Sequence, residues 1–152
     1  MAARTGDTGP DRGTGGTPIS SRGVLMICGE PTHRGRINQV LARHYGAGTS
    51  IDSFDLIALP GLCHFFYLPD FLWGLVARLI FRFVRQYAEC HNLYELCIVV
   101  SRRCSFYEGV EQQRIQQWNL DDARAFERLI LGTRWSRNWG MRVTLLTEDV
   151  RP

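Results

Sequence analysis

Cysteine and histidine side chains follow three predicted strands of this chain, in each case just beyond the last apolar residues. Cys28 ends the first apolar run, Cys63 and His64 follow the second, and Ser101 and Cys104 follow the third. Thiolate and imidazole groups are preferred zinc ligands, and a zinc ion with an open position lowers the pKa of bound water to about 7. Because cysteines also fill small gaps in cores, the pattern predicts either a zinc site or a set of packing residues.

The third of these strands organises the chain. The segment 95–104, with sequence ELCIVVSRRC, is an almost unbroken apolar run that ends abruptly in polar residues. Such a run is typical of a strand buried on both faces, as in a parallel sheet. Open α/β sheets bind ligands at the carboxyl ends of such strands, so the chemistry is expected there. Cys90 and Cys97 fall inside predicted elements and are expected to be packing residues.

Strands and helices alternate along the sequence. Strands are predicted at 23–28, 54–59, 95–100 and 141–147, and helices at 36–45, 70–90 and 120–131, with a polar stretch at 105–119. This order predicts a three-layer α/β/α domain with a mostly parallel β-sheet of about four to five strands and right-handed crossovers. A strand order of 2-1-3 would bring the three strand ends together. Glu148 and Asp149, beyond the last strand, are expected to face solvent; the alternative is that they reach a site at the strand ends.

Composition excludes several classes of protein. Residues 1–22 contain almost no large apolar side chains, so we expect a disordered tail before a single domain at 23–152. The net charge of +3 is too small to indicate nucleic-acid binding, and the tryptophans among the arginines of 118–139 are expected to be core residues. Five cysteines without a signal peptide argue against a disulfide framework. No apolar run is long enough to span a membrane, so the cytoplasm is the expected compartment.

The helix predicted at 70–90 is too apolar for a helix that packs only on a sheet. Its polar positions are a narrow stripe of Arg78, Arg82, Arg85 and Glu89, and nearly all other positions are apolar. One sheet face covers less than the full circumference of a helix, so the remainder needs a second partner. We expect a second subunit, giving a homodimer or larger homo-oligomer, and an interfacial membrane helix is the alternative.

The strand ends resemble the motifs of the β-class carbonic anhydrases. That family has C-x-D-x-R after its first strand, Ala-Gly after its second and H-x-x-C-G after its third. The resemblance extends over about residues 24–149 and is stronger in the order of elements than in motif identity. The corresponding segments here are CGEPT at 28–32, ALPG at 58–61 and SRRCS at 101–105.

The resemblance implies zinc-dependent, reversible hydration of carbon dioxide to bicarbonate, which is a lyase activity. It implies Cys28 and Cys104 as the two thiolate zinc ligands. Glu30 stands where the family has the aspartate that orients the zinc-bound hydroxide. The arginine that pairs with this aspartate is replaced by Thr32, and Arg34 lies close enough in sequence to take its role.

Position 101 separates two functional hypotheses. Ser101 stands where the family has its zinc-binding histidine, and a neutral hydroxyl is a poor zinc ligand. In the first hypothesis His64, on the neighbouring strand end, supplies the missing imidazole; Cys63 and His33 are the other candidates. In the second the chain is a pseudoenzyme without zinc. It would bind a small anion through arginines such as Arg34 beside helix N-termini, or act as an assembly protein through the helix at 70–90.

Overall fold

The computed structural model describes residues 21–28, 34–59, 70–101 and 111–148, and these residues form a parallel four-stranded sheet with helices on both faces. The strands run in the order β2-β1-β3-β4, and each neighbouring pair is parallel. The predicted α/β fold class is therefore confirmed, as is the 2-1-3 order of the first three strands. Their bounds are β1 Val24–Cys28, β2 Asp55–Leu59, β3 Glu95–Val100 and β4 Arg142–Thr147.

Four α-helices and one short 3₁₀ helix, Ile51–Ser53, lie in the described ranges. The α-helices are α1 Arg34–Tyr45, α2 Asp70–His91, α3 Gln112–Leu131 and α4 Arg134–Trp139. The prediction that α3 begins near residue 120 is wrong, because the helix starts eight residues earlier. Glutamine is a good helix former, and neither Gly nor Pro interrupts residues 111–131. The sequence also did not predict α4. Within the described ranges, no helix has the length and apolarity needed to cross a membrane.

The side chains of β3 alternate between two apolar clusters, one on each face of the sheet. Leu96, Ile98 and Val100 pack beneath α2 and α3, whereas Cys97 and Val99 pack beneath α1. All five of these side chains are at most 3% exposed. The strand is therefore buried on both faces, as its continuous apolar run predicts, and the three layers are α1, the sheet, and α2 with α3.

Two backbone features fix where β3 begins. Asn92 adopts a left-handed conformation with φ of 56°, which asparagine tolerates better than most residues, and this ends α2. Gly23 precedes β1 and lies against the start of β3, where an added Cβ atom would come 2.7 Å from the carbonyl oxygen of Glu95. Only glycine allows this close approach of the two strands.

The last two residues of the predicted tail contact the domain. The Arg22 amide donates a hydrogen bond of 2.9 Å to the Ser53 carbonyl, and the Arg22 guanidinium lies 5.0 Å from the centre of the Tyr45 ring. The disorder expected for 1–22 stays a prediction, since residues 1–20 lie outside the described residues.

Candidate functional site

The carboxyl ends of the first three strands lie side by side. In the β1–β2 pairing Cys28 is level with Leu59, and the β1–β3 register, continued by two residues, brings Cys28 level with Val100. The chain therefore leaves the sheet at three adjacent points, which is the arrangement that the zinc hypothesis requires. Of the predicted site residues, Glu30, His64 and Cys104 lie outside the described residues, as do the alternative ligands His33 and Cys63.

Arg34 is the first residue of α1 and is exposed to solvent. The sequence predicted it in a loop, two residues before the helix. Because α1 follows β1 and packs on the sheet, its N-terminus lies towards the carboxyl edge of the strands. An exposed guanidinium at this edge can pair with a carboxylate or a small anion. Arg36, in the same first turn, is exposed as well.

Ser101 is the first residue beyond β3, and its side chain is buried. It is 3% exposed, and its hydroxyl oxygen has no hydrogen-bond partner among the residues that the structure describes. Its carbonyl accepts a hydrogen bond of 3.1 Å from the Asn119 side-chain amide on α3. Position 101, where the resemblance expects an imidazole, therefore presents a short neutral hydroxyl in a buried setting.

Two further buried polar residues, Asn119 and Asp122, lie one helical turn apart on α3. They are 8% and 7% exposed, and Asn119 Oδ1 and Asp122 Oδ2 have no hydrogen-bond partners in the described part of the chain. Burial raises the pKa of Asp122 to about 7; a hydrogen bond from Trp73 on α2 opposes this shift, and the nearby charge of Asp121 adds to it. We call Ser101, Asn119 and Asp122 the carboxyl-edge cluster.

Glu148 lies beside this cluster, and the expectation that it faces solvent is wrong. It is 1% exposed, and its backbone amide donates a hydrogen bond of 3.1 Å to the carbonyl of Val100. The β3–β4 pairing ends with Val100 level with Thr147, so Glu148 is level with Ser101. Continued pairing to β3 thus draws the residue into the structure despite its charge. Asp149 lies outside the described residues.

The described residues do not themselves contain a zinc site. No group of three His, Cys, Asp or Glu side chains in this part of the chain is placed to hold a metal ion. Ser101 does not fit the family's ligand set, because its hydroxyl is neutral. The donors that do fit zinc are thiols: Cys28 ends β1, and Cys104 follows Ser101 by three residues in the sequence. A third strong ligand would have to come from another position.

A second polar cluster lies at the opposite end of β3. The Tyr45 hydroxyl and the Thr144 hydroxyl donate hydrogen bonds of 2.5 and 2.8 Å to the same carboxylate oxygen of Glu95. The Cys97 thiol is hydrogen-bonded to Tyr45, and burial raises the pKa of this thiol to about 12. We call Tyr45, Glu95, Cys97 and Thr144 the amino-edge cluster. Its groups are engaged with one another, and its thiol is protonated at neutral pH, which indicates a structural role.

The two cysteines expected to be packing residues differ. Cys97 is fully buried, as expected, but the prediction for Cys90 is wrong because this side chain is exposed. Cys90 lies on the outer side of α2 and lines a shallow groove of about 280 Å³ with Phe83 and Tyr87. The apolar character of α2 made the whole helix look buried, although much of it faces solvent.

Comparisons with known proteins return no match: no family model, curated protein or solved structure is similar enough to this chain to indicate a family.

The contribution of α3 to the carboxyl-edge cluster was not predicted from the sequence. The usable signal is helical spacing, since Asn119, Asp122 and Phe126 fall at i, i+3 and i+7 of one face, and all three are buried. A polar residue on an otherwise apolar face of a helix is expected to meet a partner in the core. Asn119 and Asp122, at the start of this face, each have a side-chain oxygen without a hydrogen-bond partner among the described residues.

Proposed function

We propose that this protein is a divergent relative of the β-class carbonic anhydrases that binds zinc and hydrates carbon dioxide to bicarbonate. The observation that carries the proposal is the strand order β2-β1-β3, which brings the end of β1, at Cys28, beside the end of β3. The cysteine motifs that resemble the family follow these same two strands. Support therefore comes from fold and motif placement together.

In this proposal the thiolates of Cys28 and Cys104 hold the zinc ion, and His64 replaces the missing imidazole. When bound, zinc supplies a hydroxide nucleophile at neutral pH. Glu30 would orient this hydroxide, which is the role that the resemblance gives it. Arg34, exposed at the edge of the sheet, would pair with the Glu30 carboxylate.

The decisive experiment is the zinc content of the full-length protein purified without added metal. We expect close to one zinc per chain in the wild type and a loss of zinc in Cys104→Ser. Cys90→Ser is the matched control, because this exposed thiol on α2 lies outside the site and its loss should leave zinc unchanged. His64→Ala is then expected to lower both zinc content and carbon dioxide hydration. A wild-type protein without zinc would overturn the proposal.

The second candidate is a zinc-free relative that binds a small anion or acts in assembly. The observation that favours it is Ser101, a buried neutral hydroxyl in the place of the family's histidine. The exposed Arg34 would then contact the anion directly. Calorimetric titration of zinc-free protein with bicarbonate or phosphate tests this role. Anion binding that Arg34→Ala weakens at least tenfold would support it. For both candidates we propose a cytoplasmic location, in keeping with the unpaired Cys90 and Cys97.

A further inference from the structure

Three buried side-chain atoms in the described part of the chain have no hydrogen-bond partner, and all three are oxygens of the carboxyl-edge cluster. They are Ser101 Oγ, Asn119 Oδ1 and Asp122 Oδ2. Buried polar atoms without partners are rare in folded proteins, and a bound ion or water is one explanation for them. Because the three oxygens belong to neighbouring residues, they point to a single bound species, and their burial requires that species to be small.

We propose that the carboxyl-edge cluster binds a divalent cation that prefers oxygen ligands, either calcium or magnesium. Its ligands are the side-chain oxygens of Ser101, Asn119 and Asp122. Carboxylate and amide oxygens are the side-chain ligands that these ions take in proteins, and a serine hydroxyl also serves as a magnesium ligand. The cluster thus offers one oxygen of each kind.

The orientation of the Asn119 amide supports a cation in particular. Its nitrogen, which a cation would not accept as a neighbour, donates a hydrogen bond of 3.1 Å to the Ser101 carbonyl. Because a carbonyl can only accept a hydrogen bond, this contact fixes which end of the amide carries the unpartnered oxygen. The donor of Asn119 is therefore engaged, and its acceptor is left for a ligand.

Three elements of the fold hold the cluster in place. Asn119 and Asp122 are one turn apart on α3, a spacing that puts their Cβ atoms about 5–6 Å from each other. The bond between Asn119 and Ser101 joins α3 to the end of β3. Trp73 on α2 donates a hydrogen bond to the Asp122 carboxylate. Since Oδ2 has no partner, this bond goes to the other oxygen of Asp122.

The balance of charge favours a cation over a water molecule. Burial raises the pKa of Asp122 to about 7, and the negative charge of Asp121 adds to this shift. Trp73, the contact from α2, is neutral, and Glu148 brings a second buried carboxyl group level with Ser101. A water molecule would satisfy hydrogen bonds here but would supply no positive charge. A cation would favour the ionised form of Asp122 and would lower its pKa.

This site is separate from the proposed zinc site. Its ligands are oxygens, whereas the zinc site would use the thiolates of Cys28 and Cys104. The cluster has only two acidic side chains, Asp122 and Glu148, so it is compatible with the lack of a three-residue His, Cys, Asp or Glu group among the described residues. The inference goes beyond the proposed function and does not depend on it.

The test is calorimetric titration of the full-length protein, as purified and in metal-free buffer at pH 8, with calcium chloride and with magnesium chloride. We expect one of these ions to bind with a Kd of about 0.1–1 mM, the range of weak calcium sites. Asp122→Asn keeps the shape of the side chain and removes its charge, so it should raise the Kd at least about tenfold. Asp121→Asn, at the exposed neighbouring position, is the matched control and should leave the Kd within about threefold.

Competition with protons gives a second readout. The cation must displace the proton of Asp122, so the apparent Kd of the wild type should rise about tenfold from pH 8 to pH 6. The Kd of Asp122→Asn should not change over this range. Ser101→Ala should weaken binding as well, because it removes one ligand without a change of charge.

Three results would overturn the proposal. They are a lack of binding by either ion at 10 mM or so, a Kd that Asp122→Asn leaves unchanged, and binding that does not depend on pH. Each would mean that water or another part of the chain satisfies these oxygens. Cys104→Ser should lose zinc but keep the Kd for the oxygen-bound cation, so the zinc proposal and this inference can fail separately.

Discussion

The two ends of β3 each carry a cluster of buried polar side chains, but the clusters differ in how their hydrogen bonds are completed. At the amino edge, one oxygen of the Glu95 carboxylate accepts from both Tyr45 and Thr144. At the carboxyl edge, Ser101 Oγ and one side-chain oxygen of Asp122 have no partner within the described ranges. Unpartnered buried polar atoms are costly, and among the described residues they lie at the carboxyl edge of β3 and not at its amino edge.

This difference favours a structural role for the amino edge and leaves the carboxyl edge as the candidate for binding. A completed network such as that of Glu95 rigidifies the core and leaves no free hydrogen-bond donor or acceptor for a ligand. An incomplete one retains donors and acceptors that a bound molecule can satisfy. The incomplete cluster lies at the carboxyl end of the central strands, where open α/β sheets bind ligands. The candidate site and the structural cluster thus separate along a single strand.

The largest expected effect concerns the thiol of the closed cluster. Cys97 is fully buried, and its raised pKa keeps it protonated, whereas Cys90 is exposed. We therefore expect iodoacetamide to modify Cys97 at least about 1,000-fold more slowly than Cys90, because reaction requires the thiolate and an opening of the fold. Mass spectrometry of peptides from timed reactions measures both rates. If Cys97 and Cys90 react at comparable rates in the native protein, and urea changes their ratio no further, then the amino-edge cluster is open.

Next in size is the loss of the carboxylate that the closed cluster shares. Glu95→Ala leaves the hydroxyls of Tyr45 and Thr144 without their acceptor, and we expect it to lower the free energy of unfolding by about 2–3 kcal/mol. Urea unfolding followed by circular dichroism provides the measurement. Glu111→Ala, at an exposed position before α3, is the control and should change stability by less than about 0.5 kcal/mol. Equal losses in both variants would contradict a special role for Glu95.

The open cluster should show its incompleteness as a pH dependence. The pKa of Asp122 is raised from 3.8 to about 7 on folding, so the protonated form favours the folded state. This stability is complete below about pH 4, is lost progressively as the pH rises to about 7, and does not change further above that pH. Between pH 5 and pH 8 the effect amounts to about 2.6 kcal/mol at most. We expect Asp122→Asn to remove this part of the pH dependence and to be the more stable protein at pH 8.

Asp121→Asn is the control for this pH experiment. Asp121 is exposed on the next position of α3 and accepts a hydrogen bond of 2.9 Å from Gln117. Its substitution should leave the slope of stability against pH nearly unchanged. If urea midpoints of the wild type and Asp122→Asn fall in parallel from pH 5 to pH 8, Asp122 titrates normally and the carboxyl edge is already satisfied.

The sequence predicts the sheet well because burial on both faces leaves a strong local signal. The runs that became β1 and β3 are continuous in apolar residues, and only a parallel central position explains such runs. The positions of single polar side chains leave a weaker signal. Asn119 was overlooked because a glutamine-rich stretch looks like a loop when polarity alone is considered, although its helical propensity is high. Asp122 fell inside the helix predicted at 120–131, but its charge suggested a solvated face, whereas the side chain is 7% exposed.

Exposure proved harder to predict than element type. Cys90 on α2 looks buried by composition, and Glu148 after β4 looks exposed by charge, and the structure reverses both. In each case the deciding factor is tertiary: α2 presents a face that nothing in the described residues covers, and pairing to β3 continues to Glu148. Such long-range contacts cannot be read from a local window of sequence.

The smallest expected effect gives the most direct comparison between the ends, because it removes one hydroxyl from each. Thr144→Val at the closed cluster deletes a donor to Glu95 and should cost about 1 kcal/mol. Ser101→Ala at the open cluster deletes a buried hydroxyl that has no partner, so it should cost nothing measurable or stabilise by up to about 1 kcal/mol. Urea midpoints in one buffer compare the two variants. If Ser101→Ala is as costly as Thr144→Val, the Ser101 hydroxyl has a partner, and the two ends of β3 would then be equally closed.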